Sequence, residues 1–126
     1  MLIDSHCHLP HKNYSETLNK ILSDAKDFGV EKFITVGTSI KENTKVLEIA
    51  NKYPNIFCSV GIYPHEDKSI PITELKTSLE ENLKLSKKIV AVGECGVDIS
   101  EWKNGRSLED QLEIFEMQVE FAKEHR

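Results

Sequence analysis

Four short apolar runs, each closing on a polar residue or glycine and each followed by a stretch of helical periodicity, constrain this chain more than any other feature. The runs are Leu2 to His6, Phe33 to Gly37, Ile56 to Gly61 and Ile89 to Gly93. Each is as long as a strand, and an uninterrupted apolar run suits a strand of a parallel sheet buried on both faces. Between the runs the period changes. Leu18, Ile21, Leu22, Ala25 and Phe28 fall on one helical face that Gly29 can end, with Lys26 favourably placed in the last turn. Ser39 with Glu42 is a capping-box signal for a helix presenting Val46, Leu47, Ala50 and Tyr53 and stopping at Pro54. Leu75, Leu79 and Leu83 outline a third helix after Thr73, and Leu108, Leu112, Phe115, Val119 and Ala122 a fourth that opens at Ser107. The pattern predicts (βα)4.

Successive βα units in one direction imply right-handed crossovers and a parallel sheet, either doubly wound and open or part of a closed eight-stranded barrel. A complete (β/α)8 barrel takes about 250 residues. This chain has 126, with its last helix running to Arg126. If the sheet belongs to a barrel, these residues supply half of it as a single domain.

Composition removes several alternatives. Sixteen basic residues against 21 acidic ones leave a net charge of −5, so there is no general basic groove for nucleic acid, and any such contact needs local help such as metal ions. No apolar run approaches the roughly 20 residues that span a bilayer, and the opening MLIDSHCHL lacks the features of a secretion signal, so a soluble cytoplasmic protein without a membrane partner is expected. Cys7, Cys58 and Cys95 are odd in number and show no C-x-x-C spacing, which predicts reduced, buried thiols.

In either architecture sites lie at the carboxyl ends of the strands. The first run closes with Asp4-Ser5-His6-Cys7-His8, and strand alternation puts Asp4, His6 and His8 on one face. Imidazoles about 7 Å apart along a strand can converge on one divalent cation, with the Asp4 carboxylate orienting a liganding ring from behind. The competing reading is a pair of solvated histidines at a loop start. Glu94 follows the fourth run directly and is flanked by Gly93 and Gly96, so its carboxylate points from a strand end over the sheet, where it can complete a His, His, carboxylate set or bridge two ions. A solvated loop glutamate is the alternative. At the third run Pro64 holds Tyr63 extended and His65 projects at the mouth of the sheet, as a substrate contact, an acid or a solvated loop residue. His11 lies in the loop after the first strand, and His125 is a favourable charge at a helix end. Trp102 follows the fourth strand, where an aromatic can stack on a base, although covering a loop tip is the commoner use.

Taken together, DSHCHL, VGIYPHE, VGECGVD and the SLEDQLEIFEMQVEFAKEH helix resemble the TatD family of metal-dependent deoxyribonucleases, within the amidohydrolase-like barrels, over the whole chain. The resemblance implies the amino-terminal half of a TIM-type (β/α)8 barrel. It also implies one or two divalent metals and hydrolysis of DNA phosphodiesters from the 3′ end; a mixed histidine and carboxylate site suits magnesium or manganese in use and zinc in crystals. By position His6 and His8 would bind one metal, Glu94 would bridge both and serve catalysis, Tyr63 and His65 would face the substrate, and Asp4 would stand behind the ligands. A metal-activated water would attack phosphorus. The chain departs from the family at Tyr63, usually a histidine, and at Cys95 and Ile99. The family's remaining ligands belong to a second half, so the expected partners are DNA and either a homodimer mate or a carboxyl-terminal half-barrel. Two other readings stay open: an amidohydrolase-like enzyme acting on amide or ester bonds, and a half-barrel that serves only as an interaction module.

Overall fold

The computed structural model describes residues 1–14 and 17–125, so Arg126 lies outside the described residues. The order is β1 (Leu2–Cys7), α1 (Leu18–Asp27), β2 (Val30–Val36), α2 (Ile40–Lys52), β3 (Ile56–Val60), α3 (Ile72–Leu85), β4 (Ile89–Val92) and α4 (Leu108–Glu124). All three strand pairings are parallel, and the sheet runs β1-β2-β3-β4. A doubly wound sheet reverses its strand order at a switch point, whereas consecutive neighbours without reversal make up a barrel wall. The (βα)4 half-barrel is therefore the architecture.

Local chemistry explains the boundaries. Ser39 Oγ accepts the Glu42 N–H at 3.2 Å and Ser107 Oγ accepts the Asp110 N–H at 3.1 Å, each occupying an otherwise unpaired donor of a first turn. Gly29, at φ 87°, ends α1 in the left-handed conformation. Tyr53 is extended ahead of Pro54 and closes α2. β2 begins at Val30, three residues earlier than the apolar run suggests, and α3 starts at Ile72, directly after Pro71 and ahead of Thr73.

The core packs Phe33, Ile56, Cys58 and Val60 of the sheet against Val46, Leu47, Ala50, Leu79 and Phe121 of the helices. A second cluster, Ile62, Leu75 and Ile114, extends it toward the carboxyl ends of the strands. Burial on both faces holds for β3 but not for the terminal strands. Leu2 and Ile3 on β1 and Val90 on β4 are exposed, because among the described residues each of these strands has a neighbour on one side only. Phe28 also departs from its expected helical face: it caps α1 and points to solvent.

The largest correction concerns α4. Its buried stripe is Gln111, Ile114, Gln118 and Phe121, while Leu108, Leu112 and Val119 of the expected stripe are exposed. The amides explain the rotation, since buried polar side chains are tolerated when bonded. Gln118 accepts the Ile62 N–H through Oε1 (2.7 Å) and donates to the Ile62 carbonyl through Nε2 (3.0 Å), and Gln111 Oε1 accepts the Asp98 N–H (2.8 Å). At the amino end of β4, Lys88 Nζ donates to the carbonyls of Ala50, Tyr53 and Ile56 and ties the end of α2 to β3.

Candidate metal centre

Three of the four apolar runs close on glycine, and at Gly37 and Gly61 the strand ends meet too closely for a side chain. A Cβ on Gly37 would lie 2.0 Å from Asn43 Oδ1, and one on Gly61 would lie 2.5 Å from the Gly93 carbonyl carbon. Asn43, fully buried, accepts the Gly61 N–H and donates to the Gly61 carbonyl, both at 3.1 Å. Gly93 N–H then bonds the Val60 carbonyl (2.9 Å) and Glu94 N–H the Gly37 carbonyl (2.7 Å), which anchors the backbone that carries Glu94.

β1 brings the other half of the site. Asp4 Oδ1 accepts the His6 backbone N–H at 3.1 Å, so this carboxylate steadies the main chain beneath the imidazole. Beyond the strand, Leu9 N–H bonds Thr35 Oγ1 at 3.3 Å and holds the chain just after His8. The two imidazoles meet edge to face with centroids 5.2 Å apart. Glu94 Oε2 lies 3.4 Å from His6 Nε2 and 3.6 Å from His8 Nε2. One ligand atom from each of His6, His8 and Glu94 falls within 4.8 Å of the others.

Two imidazole nitrogens and a carboxylate oxygen, half-exposed and aimed at one point, form a donor set suited to a divalent cation. The geometry therefore fits a resident metal with three protein ligands and open positions for water or substrate. A cavity of about 320 Å³ lined by Ser5, His6, Ile34, Ser59 and Glu94 adjoins it. Roomier grooves of about 490 and 520 Å³ lie beside α1 and contain none of the three converging side chains, so volume alone does not find the centre.

Tyr63 and His65 do not join this cluster but build a second one around Asp98. Tyr63 Oη donates to Asp98 Oδ2 (2.6 Å), which also accepts Trp102 Nε1–H (2.8 Å), while Asp98 Oδ1 accepts the Ser100 N–H (2.9 Å) and hydroxyl (2.6 Å). The His65 side chain is only 4% exposed. Its Nδ1 accepts the Arg106 N–H (3.1 Å), which leaves the ring proton on Nε2 facing the Asp98 carbonyl (3.2 Å). Trp102 stacks on His65 with centroids 4.8 Å apart. His65 is thus a bonded ring beneath a tryptophan rather than a free group at the mouth.

These contacts set the local ionisation. Hydrogen bonds from Ser100 and Tyr63 hold the Asp98 carboxyl well below the usual carboxylate range. The same bond to Asp98, aided by burial, pushes the Tyr63 phenol up to about 12. All three cysteines are free, and burial raises each thiol: Cys7 to about 12 and Cys58 to about 11, with Cys95 moved the same way. Cys58 is buried as expected, whereas Cys7 and Cys95 are only half-buried.

His11 accepts the Asn13 N–H through Nδ1 and packs on Tyr14, and the His125 ring lies 4.6 Å from Phe121; both stand apart from the three converging groups. Sequence reasoning missed Asp98, whose one local signal is Ser100 two residues on, a spacing that favours an Asx-type turn.

Residues 3–126 match the family model described as TatD related DNase. The chain is 32% identical over 124 residues to YabD of Bacillus subtilis, an uncharacterized metal-dependent hydrolase, covering 98% of this chain and 47% of that protein. It is 26% identical to the 3′-5′ ssDNA/RNA exonuclease TatD of Salmonella typhimurium, covering 98% of this chain and 46% of that one. The crystal structure of YjjV, a TatD homolog from Escherichia coli K12, superposes with a TM-score of 0.87 at 27% identity, over 98% of this chain and 47% of that chain. The chain spans about half the length of the curated relatives it matches. Among the described residues no helix is long and apolar enough to cross a membrane.

Proposed function

This chain belongs to the TatD-related DNase family, and from that membership we propose that its residues 1–126 form one domain, half of the barrel of a metal-dependent hydrolase that cleaves DNA phosphodiester bonds from the 3′ end. The observation that carries the reading is the convergence of His6, His8 and Glu94 within 4.8 Å. His6 and His8 offer Nε2 as ligand atoms, and Glu94 supplies a carboxylate oxygen within 3.4 and 3.6 Å of them. Magnesium or manganese is the ion in use. When bound there, a divalent cation supplies Lewis-acid polarisation of a phosphodiester oxygen and makes water acidic enough to act as a nucleophile near neutral pH.

The remaining roles belong to the chain itself. Asp4 fixes the main chain under His6, and the bonds of Glu94 N–H and Gly93 N–H hold the carboxylate toward the imidazoles. Tyr63 and His65 act from beneath, bracing through Asp98 and Trp102 the loop that receives the strand. A net charge of −5 repels a polyanion, so a cation between the two also makes approach favourable. Glu94 in place of a lysine at the end of β4 favours phosphodiester cleavage over the amide or ester chemistry of other amidohydrolase-like barrels. The exposed Leu2, Ile3 and Val90 of the terminal strands support a second half-barrel as partner, whether from a longer chain or from a second copy of this one. Three cysteines free of disulfides suit a reducing compartment, and we take the cytoplasm as the site of action.

The test pairs binding with chemistry. Manganese titrated into the chain should give an electron-paramagnetic signature of bound ion that Glu94→Gln weakens, and nucleotide release from 3′-labelled single-stranded DNA should need the metal and intact Glu94. Manganese binding unaffected by Glu94→Gln would remove the centre as drawn.

A further inference from the structure

Trp102 is neither buried nor free. Its residue is 48% exposed, yet Nε1–H is held by Asp98 Oδ2 at 2.8 Å and Ser100 Oγ at 3.1 Å, and the ring lies on His65 at 26° with Tyr63 tilted beside it, centroids 5.8 Å away. The support beneath it is also tight. A Cβ on Gly105 would lie 2.6 Å from His65 Nδ1 and 2.9 Å from Trp102 Cβ, so the loop closes against both rings without room for a side chain. A tryptophan used to cover a loop tip hides its surface and loses water in doing so. This one is fixed by its polar edge and by its stack on His65 while nearly half of the residue stays in water. Such a ring has surrendered its freedom before any partner arrives, which is the preorganisation that lowers the cost of binding a flat ligand.

We propose that Trp102, braced by His65, Asp98 and Ser100, is a stacking platform for an unpaired nucleobase of the strand whose phosphodiester the His6, His8 and Glu94 centre acts on. The proposal rests on the functional reading above and adds to it a substrate-binding residue. Position supports it. Asp98 is four residues from Glu94, so their Cα atoms lie within about 14 Å even if the segment were fully extended. Tyr63 links the two regions, since its phenol is bonded to Asp98 while its N–H bonds the Thr38 carbonyl, next to the Gly37 carbonyl that accepts the Glu94 N–H. Every base has a π face, so a platform of this kind gives affinity for single strands without sequence preference.

Trp102 is the only tryptophan in the chain, so its emission reports on its own environment. The full chain would be titrated in magnesium with a fluorescein-labelled, phosphorothioate-linked thymidine oligonucleotide, reading label anisotropy and, in a parallel unlabelled titration, tryptophan emission. Platform binding quenches the emission. Trp102→Ala should weaken binding about ten- to hundred-fold with unchanged circular dichroism, and Trp102→Phe should weaken it less. Moving a single abasic site along the oligonucleotide should find one position that costs the wild type affinity but costs Trp102→Ala nothing, a pattern that a purely structural tryptophan does not produce. Binding with unchanged emission, or equal abasic profiles for wild type and Trp102→Ala, overturns the platform and leaves the hydrolase reading intact. Absence of binding overturns it as well, and the fate of the hydrolase reading is then decided by nucleotide release from 3′-labelled DNA.

Discussion

Tyr63 Oη donates to Asp98 Oδ2 across 2.6 Å, a bond that joins the turn after β3 to the loop after β4. Asp98 uses its backbone as well as its side chain: its N–H bonds Gln111 of α4, its carbonyl faces His65, and its carboxylate gathers Ser100 and Trp102. One residue thereby fixes the loop that follows Glu94, and the strength of its bonds is legible in titrations.

The Tyr63 phenol should ionise at about 12, against an ordinary 10.0, because its proton is shared with a carboxylate and the phenolate would face that charge. Ultraviolet titration should therefore show one of the three tyrosines ionising late. Asp98→Asn removes the charge and should bring that midpoint down. The sign for stability follows: a raised folded pKa favours the neutral phenol in the native state, so the contribution is present below pH 10 and lost as pH rises through about 12. A late tyrosine that persists in Asp98→Asn would show that another group holds the proton.

Asp98 acts at the opposite end of the scale. Its folded pKa is depressed below the ordinary 3.8, so its contribution to stability is present above that value and lost as the pH falls toward the lowered one. Thermal midpoints measured from pH 5 downward should fall less steeply in Asp98→Asn than in the wild type. Parallel slopes would mean that the Ser100 and Tyr63 bonds do not favour the ionised form.

Where apolar periodicity and local caps determine structure, the sequence was sufficient. The strand–helix alternation, the Ser39 and Ser107 caps and the convergence of the His6, His8 and Glu94 side chains all follow from patterns within a few residues or from strand-end logic. The α4 face was misjudged because hydropathy ranks Gln111 and Gln118 as surface residues, and only the distant backbones of Asp98 and Ile62 make their burial favourable. His65 is similar: the N–H it accepts belongs to Arg106, 41 residues away. Side chains satisfied by remote main chain leave no mark on local periodicity.

Lys88 shows the same kind of bond at the amino end of the sheet, where Nζ serves the carbonyls of Ala50, Tyr53 and Ile56. Lys88→Met keeps most of the stem but leaves those acceptors without their charged donor. A loss of about 2–3 kcal/mol is expected, the scale of a charge-assisted hydrogen bond with its acceptors stranded. Urea unfolding would read it, and a loss within experimental error would show that water replaces the ammonium freely.

Gly61→Ala tests whether the packing of the strand ends sets the metal centre. The added Cβ would lie 2.5 Å from the Gly93 carbonyl carbon and 2.7 Å from its Cα, and these are backbone atoms that no rotamer change can clear. Gly61 cannot retreat without breaking its paired bonds to buried Asn43, so the Gly93–Glu94 segment must move. The expected cost in stability is about 1–3 kcal/mol, as for other overpacked sites. Because Glu94 rides on the displaced backbone, manganese affinity should also fall by about ten-fold, comparable with the loss of a group that orients a ligand. Lys88→Met provides the control, with a similar cost in stability at the far end of β4 and affinity left unchanged. If Gly61→Ala binds manganese as tightly as the wild type, Glu94 reaches the imidazoles without the close approach of β3 and β4, and the glycines at the strand ends serve packing alone.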